Sequence, residues 1–232
     1  GGERYWLPGA GSDGEKTAPW TGEFHKPVWT PTPIEGGNAD LRAGSEERML
    51  IVAPGDSRIA DALAQYHAGR DVRRLEASAT DFGDVSRFRL IYFLERFEEL
   101  PPDFSDPEGW LALSGTGARS VHNLHRLVTA MHNGGKADRT HLRVVTENAA
   151  APDDPSAIHP GAAMLHGLAM TLAGELAKTA VSCMDVYCDP SGRGAAKAAT
   201  AVAAEPWTGK RLVAVRGGAR FVRTLEPVRL QA

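Results

Sequence analysis

Met49-Leu-Ile-Val-Ala-Pro-Gly-Asp-Ser57 and the residues that follow to Leu75 decide the fold of this chain. Met49 to Ala53 is a short apolar run. Ser57 to Ala68 spaces Ile59, Leu63 and Tyr66 along one helical face, and Asp71-Val-Arg-Arg-Leu75 predicts a second strand. A strand, a tight turn, a helix and a strand in this order open the kind of α/β sheet that seats a nucleotide's pyrophosphate on the helix N-terminus. Such a turn needs several glycines, so that backbone N–H groups can approach the phosphates. Here it reads Ala53-Pro54-Gly55-Asp56-Ser57. Pro54 has no N–H to donate, and Asp56 brings its own negative charge to the helix start. The stretch predicts the architecture of a cofactor domain whose cofactor seat is filled.

The chain has 232 residues, 42% hydrophobic and 24% charged, with a formal net charge of −3. That is enough globular material for a substantial core. Near-neutral charge without a basic run argues against a nucleic-acid surface. No apolar stretch reaches membrane-spanning length and no signal-peptide pattern opens the chain, so no membrane contact and a cytoplasmic location are expected. Cys183 and Cys188 flank one predicted strand at an odd separation, which puts them on opposite faces and argues against a mutual disulfide. They read as buried small hydrophobes.

Residues 1 to 23 are rich in Gly, Pro, Ser and Thr and read as a linker. Their Tyr5, Trp6 and Trp20 are apolar enough to predict packing on a neighbouring surface. Phe24 to Trp29 predicts a short extended segment, with Pro27 marking an edge, and Glu35 to Glu47 a polar connector. Further strands are predicted at Arg89–Leu94, His141–Thr146 and Val181–Val186. Helices are predicted from Glu108 or Trp110 to His132, ended by Asn133-Gly-Gly135, from Gly161 to Lys178, with Met164, Leu165, Leu168, Leu172 and Leu176 as its stripe, and from Ala195 to Ala204. The strands Lys210–Val215 and Ala219–Leu225 flank Gly217-Gly218, a hairpin signal. Repeated strand–helix alternation implies an α/β, Rossmann-like domain with a mostly parallel central sheet flanked by helices, preceded by an extended N-terminal linker.

Several strings contain residue types that can carry chemistry. Gly115-Thr-Gly-Ala-Arg-Ser120 is an incomplete dinucleotide fingerprint, but no acidic residue ends a strand about 20 positions later; flexible glycines at the front of a helix is the favoured reading. Gly55-Asp56-Ser57 follows the first strand as a nucleophile does in one family of serine esterases. The only Asp-x-x-His, Asp138 to His141, is mid-chain, so Ser57 reads as a helix cap. The same three residues are similar to a carrier-protein serine that accepts phosphopantetheine, in the wrong context. A short-chain reductase needs Lys four residues after its Tyr. Beyond Tyr5, Tyr66, Tyr92 and Tyr187 stand Gly9, Arg70, Arg96 and Ser191, and none qualifies. His122, His125 and His132 lack a further metal ligand and read as a solvated face. Glu98 and Glu99 read as part of a solvated acidic loop.

The chain resembles the ketoreductase region of modular type I polyketide synthases, and within it the N-terminal structural subdomain, a truncated Rossmann fold without cofactor. Four passages carry the likeness. Glu3-Arg-Tyr-Trp-Leu-Pro8 resembles the end of a post-acyltransferase linker. Phe24-His-Lys-Pro-Val-Trp-Thr-Pro31 is similar to the opening strand. Gly167-Leu-Ala-Met-Thr-Leu-Ala-Gly-Glu175 with Val181 to Asp185 resembles the family's Gly-Leu…Leu-Ala-x-Glu helix and its following strand. Leu212 to Pro227 looks like the closing hairpin. The resemblance implies residues 1–23 as linker and 24–232 as structural subdomain. A catalytic subdomain, carrying the NADPH loop and the reactive Ser, Tyr, Lys and Asn, would follow Ala232. It implies no catalytic, cofactor-binding or metal residue in this chain, with NADPH and phosphopantetheine serving elsewhere in a multienzyme of secondary metabolism, including antibiotic biosynthesis. The implied partners are a catalytic ketoreductase subdomain and adjacent acyltransferase or carrier domains, or the module is a pseudo-ketoreductase. Open alternatives are a Rossmann oxidoreductase using Gly115 to Ser120, a serine esterase using Ser57, and a carrier-protein docking module.

Overall fold

A computed structural model describes residues 24–33, 48–96, 107–133, 140–147, 149–150, 152, 160–189, 191–207 and 212–228. Eight strands form one sheet: β1 (Phe24–Pro31), β2 (Met49–Ala53), β3 (Val72–Glu76), β4 (Leu90–Glu95), β5 (Thr140–Glu147), β6 (Thr179–Val186), β7 (Leu212–Arg216) and β8 (Ala219–Val228). Their spatial order is β1-β8-β7-β6-β5-β4-β2-β3, parallel from β7 through β3 and antiparallel at β1–β8 and β8–β7. Four helices cover it: α1 (Arg58–Tyr66), α2 (Pro107–Asn133), α3 (Pro160–Glu175) and α4 (Ala195–Ala204).

Alternate strand residues face two separate cores, as a sheet buried on both sides requires. Leu50, Val52, Ile91, Phe93, Val144 and Cys183 pack under α2 and α3. Met49, Ile51, Tyr92, Leu94, Met184 and Val213 pack under α1 and α4, and Cys188, just beyond β6, joins this second core. The two thiols are free and lie on opposite sides of the sheet, as their spacing predicts. Burial and the neighbouring Asp185 carboxylate push the Cys183 thiol well above its ordinary range.

A complete doubly wound half runs 3-2-1 outward before its fourth strand returns to the centre. Here β3 flanks β2 on one side and β4 directly on the other, so among the described residues one outer strand and its helix are missing. The crossing from β3 to β4 contains no helix. Phe82, Val85 and Phe88 bury themselves against α2 in its place, and Arg126 donates to the Ala79 carbonyl while lying over the Phe82 ring.

The hairpin forms as expected, with Gly217 and Gly218 at φ 57° and 89°, the left-handed pair that a tight two-residue turn requires. Edge strand β1 is blunted against pairing. The Thr32 N–H donates inward to the Arg220 carbonyl, so the alternating nitrogens of residues 27, 29 and 31 face the open edge. Two of these are Pro27 and Pro31, which carry no N–H. Some predicted faces differ. Tyr66 and Met164, expected in apolar stripes, are 52% and 42% exposed, and Leu176 lies just past the end of α3. The buried stripes are narrower than expected; among the described residues two helices cover each sheet face. Tyr5, Trp6, Trp20 and the connector Glu35–Glu47 lie outside the described residues.

Candidate functional site

The carboxyl ends of β2 and β4 meet where the strand order reverses, the position at which open α/β sheets bind ligands. Its turn is Ala53-Pro54-Gly55-Asp56-Ser57. Ser57 is the N-cap of α1; its backbone N–H donates to the Pro54 carbonyl at 3.0 Å and its Oγ accepts the Ala60 N–H at 3.2 Å. One of the free amides that a phosphate would use is therefore spent on Ser57. The Arg74 guanidinium reaches back from β3, donating to the Pro54 and Gly55 carbonyls at 2.9 and 3.0 Å and pairing with Asp61. Arg96 pairs with Asp56 at 3.3 Å. Arg58 crosses to the Ser191 carbonyl, and Gly192 exists as glycine where a Cβ would overlap that side chain.

Acids surround the same turn. Glu76 ends β3 about 20 residues after Gly55, where dinucleotide folds place the acid that holds a ribose. Its Oε2 instead stands 3.0 Å from where a Gly55 Cβ would project. Glu95, buried at the end of β4, accepts from Asn123 Nδ2 at 3.3 Å. Burial raises its pKa to about 7, with Glu76 adding to the shift and the Asn123 hydrogen bond opposing it. Burial likewise raises Glu147, with Arg96 opposing. The cleft among Arg58, Arg96, Glu147 and Cys188 has room for about 20 Å³, the space of one water.

The other motifs are dispersed. Gly115 to Ser120 lies inside α2, as the helical reading predicts. Gly117 is a packing glycine: a Cβ there would meet Met164 Sδ at 2.5 Å and the Gly161 Cα at 3.2 Å on α3. Ser57 is buried and caps a helix, the role favoured for it over nucleophile. Asp138, Glu98 and Glu99 lie outside the described residues, while His141 packs against the Trp207 ring at 5.2 Å. His122, His125 and His132 are exposed along α2. No cluster of His, Cys, Asp or Glu able to hold a metal ion occurs among the described residues, and none of their helices is long and apolar enough to cross a membrane.

Sequence reasoning missed a second polar cluster on the same edge. Asp185 is fully buried near the end of β6. Its Oδ1 accepts from Thr146 Oγ1 at 2.7 Å and the Ala149 N–H at 2.8 Å; its Oδ2 accepts from the Ala150 N–H at 3.1 Å and from Arg216. Thr146 Oγ1 also lies 2.6 Å from His166 Nε2. The available signal was an acid among the apolar residues of a strand, which is buried only when fully paired.

No family model and no curated protein matches the chain. Solved structures do. A C2-type ketoreductase from a modular polyketide synthase is similar at TM-score 0.59 and 21% identity, over 89% of this chain and 43% of that one. The adenylation, ketoreductase and pseudo-Asub structure of a keto acid-selecting NRPS module gives 0.62 at 14% identity, over 88% of this chain and 18% of that one. A short-chain dehydrogenase/reductase from Brucella melitensis gives 0.57 at 14% identity, over 75% of this chain and 96% of that one. The fold is thus the Rossmann-like α/β fold of the short-chain reductases and of polyketide synthase ketoreductases. This chain spans less than half the length of the C2-type ketoreductase, a share that fits one subdomain of such a protein.

Proposed function

We propose that this chain is the non-catalytic structural subdomain of a polyketide synthase ketoreductase. It supports a catalytic ketoreductase subdomain and positions it relative to acyltransferase and carrier domains. In a module whose reductase is lost, the same scaffold would be a pseudo-ketoreductase. The closed turn at Pro54–Ser57 carries this reading. A diphosphate there would meet the carboxylates of Asp56 and Glu76 without a glycine-rich run of free amides, with the Ser57 and Ala60 N–H groups already donating within the turn. The missing strand and helix beside β3 remove the wall that would flank an adenosine. NADPH chemistry therefore belongs to another part of the parent multienzyme.

Fluorescence titration of the isolated chain with NADPH tests this. The expected result is no saturable binding and no reduction of a β-ketoacyl thioester. Binding at micromolar NADPH, or turnover, contradicts it.

A further inference from the structure

We propose that the groove between α3 and the β1–β8 ribbon is a binding site for a small organic anion, a carboxylate or phosphate borne on an apolar body. The groove encloses about 460 Å³, within the range of small-ligand sites. Trp29 and Leu212 wall its sheet side, Gly167 and Met170 its helix side, and His166 and Arg223 supply its polar groups. The placement follows from register: Trp29 pairs directly with Arg223, so both project to the face that carries α3.

Charge decides the class of ligand. Arg223 makes no hydrogen bond or ion pair among the described residues. The acid behind it, Asp185, is wholly buried and already accepts four donors. Thr146 gives its one hydroxyl proton to Asp185, so His166 meets Thr146 through a protonated Nε2. Burial, aided by Arg223 and Arg216 and opposed by Asp185, keeps the His166 pKa below its ordinary value. Burial thus favours the uncharged ring, and among the described residues that line the groove the charge is the guanidinium of Arg223. A guanidinium beside an aromatic wall and a soft methionine suits a planar or tetrahedral anion with an apolar tail.

Calorimetric titration of the full chain with hexanoate, hexyl phosphate and hexanol tests the proposal. Binding of one or both anions at least about tenfold tighter than hexanol is expected, and the tighter anion identifies the head group. Arg223→Gln should remove that tenfold preference. Gly167→Leu should abolish binding of all three probes, because a side chain at Gly167 meets open space and fills the groove without a clash. Both positions are exposed, so both variants should keep the parent unfolding temperature. Equal binding of the three probes, anion binding insensitive to Arg223→Gln, or no saturable binding at all would overturn the proposal.

Discussion

The two halves of the sheet's carboxyl edge are both closed by acid–guanidinium pairs, yet by opposite means. Over β2 and β4 the pairs are on the surface: the side chains of Arg96 and Asp56 are 44% and 76% exposed. Over β6 and β7 the Arg216–Asp185 pair is shut inside the protein, at 10% and 0%. Surface pairs contribute little to stability because water screens them and long side chains lose entropy. A buried pair contributes little net energy as a pair, but breaking it strands a charge in a medium that cannot solvate it. The first half is therefore expected to add little to the fold, whereas the second ties β5, β6 and β7 to the chain at Ala149 and Ala150.

The largest test of that contrast is Asp185→Asn. It should destabilise by about 3–5 kcal/mol, since Arg216 would be left buried and uncompensated. Combining it with Arg216→Met should cost clearly less than the sum of the two single changes in chemical denaturation. A loss under about 1 kcal/mol for Asp185→Asn would erase the distinction between the halves.

Glu95 is the buried member of the exposed half, and it should respond to pH in the same direction as Glu147 but more strongly. Its folded pKa of about 7 exceeds the ordinary 4.5, so the folded state holds a proton that the unfolded state releases. Its contribution is fully present below about pH 4.5 and is lost as pH rises through 7. Glu95→Gln should therefore stabilise at pH 8 by on the order of 2 kcal/mol and change little at pH 4. His67 acts in the opposite direction. Burial, with Arg70 adding, lowers its pKa to about 4, so its contribution is present above about 6.5 and lost as pH falls through 4. With Glu95 neutralised, His67, joined by the similarly lowered His166 and opposed by Glu147, should make stability rise with pH from about 4 to 6.5. Denaturation midpoints across that range decide it, and a flat profile for Glu95→Gln would contradict the assignment.

Smaller effects should follow at the turn. Ser57→Ala removes a helix cap and should cost about 1 kcal/mol. Asp56→Ala or Arg96→Ala should change stability by less than about 0.5 kcal/mol. A larger loss at either charge would mean that the surface pairs hold the edge after all.

Much of this edge was legible in the residues. The apolar runs at Met49 and Leu90 have one reading, a strand buried on both faces, and α4 and the Gly217-Gly218 turn fall where alanine content and glycine placement put them. Pro54 and Asp56 announce a poor phosphate turn by backbone chemistry alone. Glu76, Glu95 and Asp185 were not legible as neighbours of functional interest. Their positions depend on tertiary pairing between strands distant in sequence; an acid inside β6 signals burial at Asp185, but not which donors meet it. The missing helix between β3 and β4 was equally hidden, because Phe82, Val85 and Phe88 bury apolar surface without any periodic signature. The groove beside Arg223 exists only once β1 is laid against β8, and no local pattern records that pairing.

The turn after β2 is proposed not to seat a dinucleotide. Soaking crystals of the chain in NADPH addresses it at atomic detail. The expected map shows the Arg74 bonds to Pro54 and Gly55 intact and no nucleotide at the turn. Diphosphate density against the Gly55 backbone, with Glu76 displaced, would contradict it.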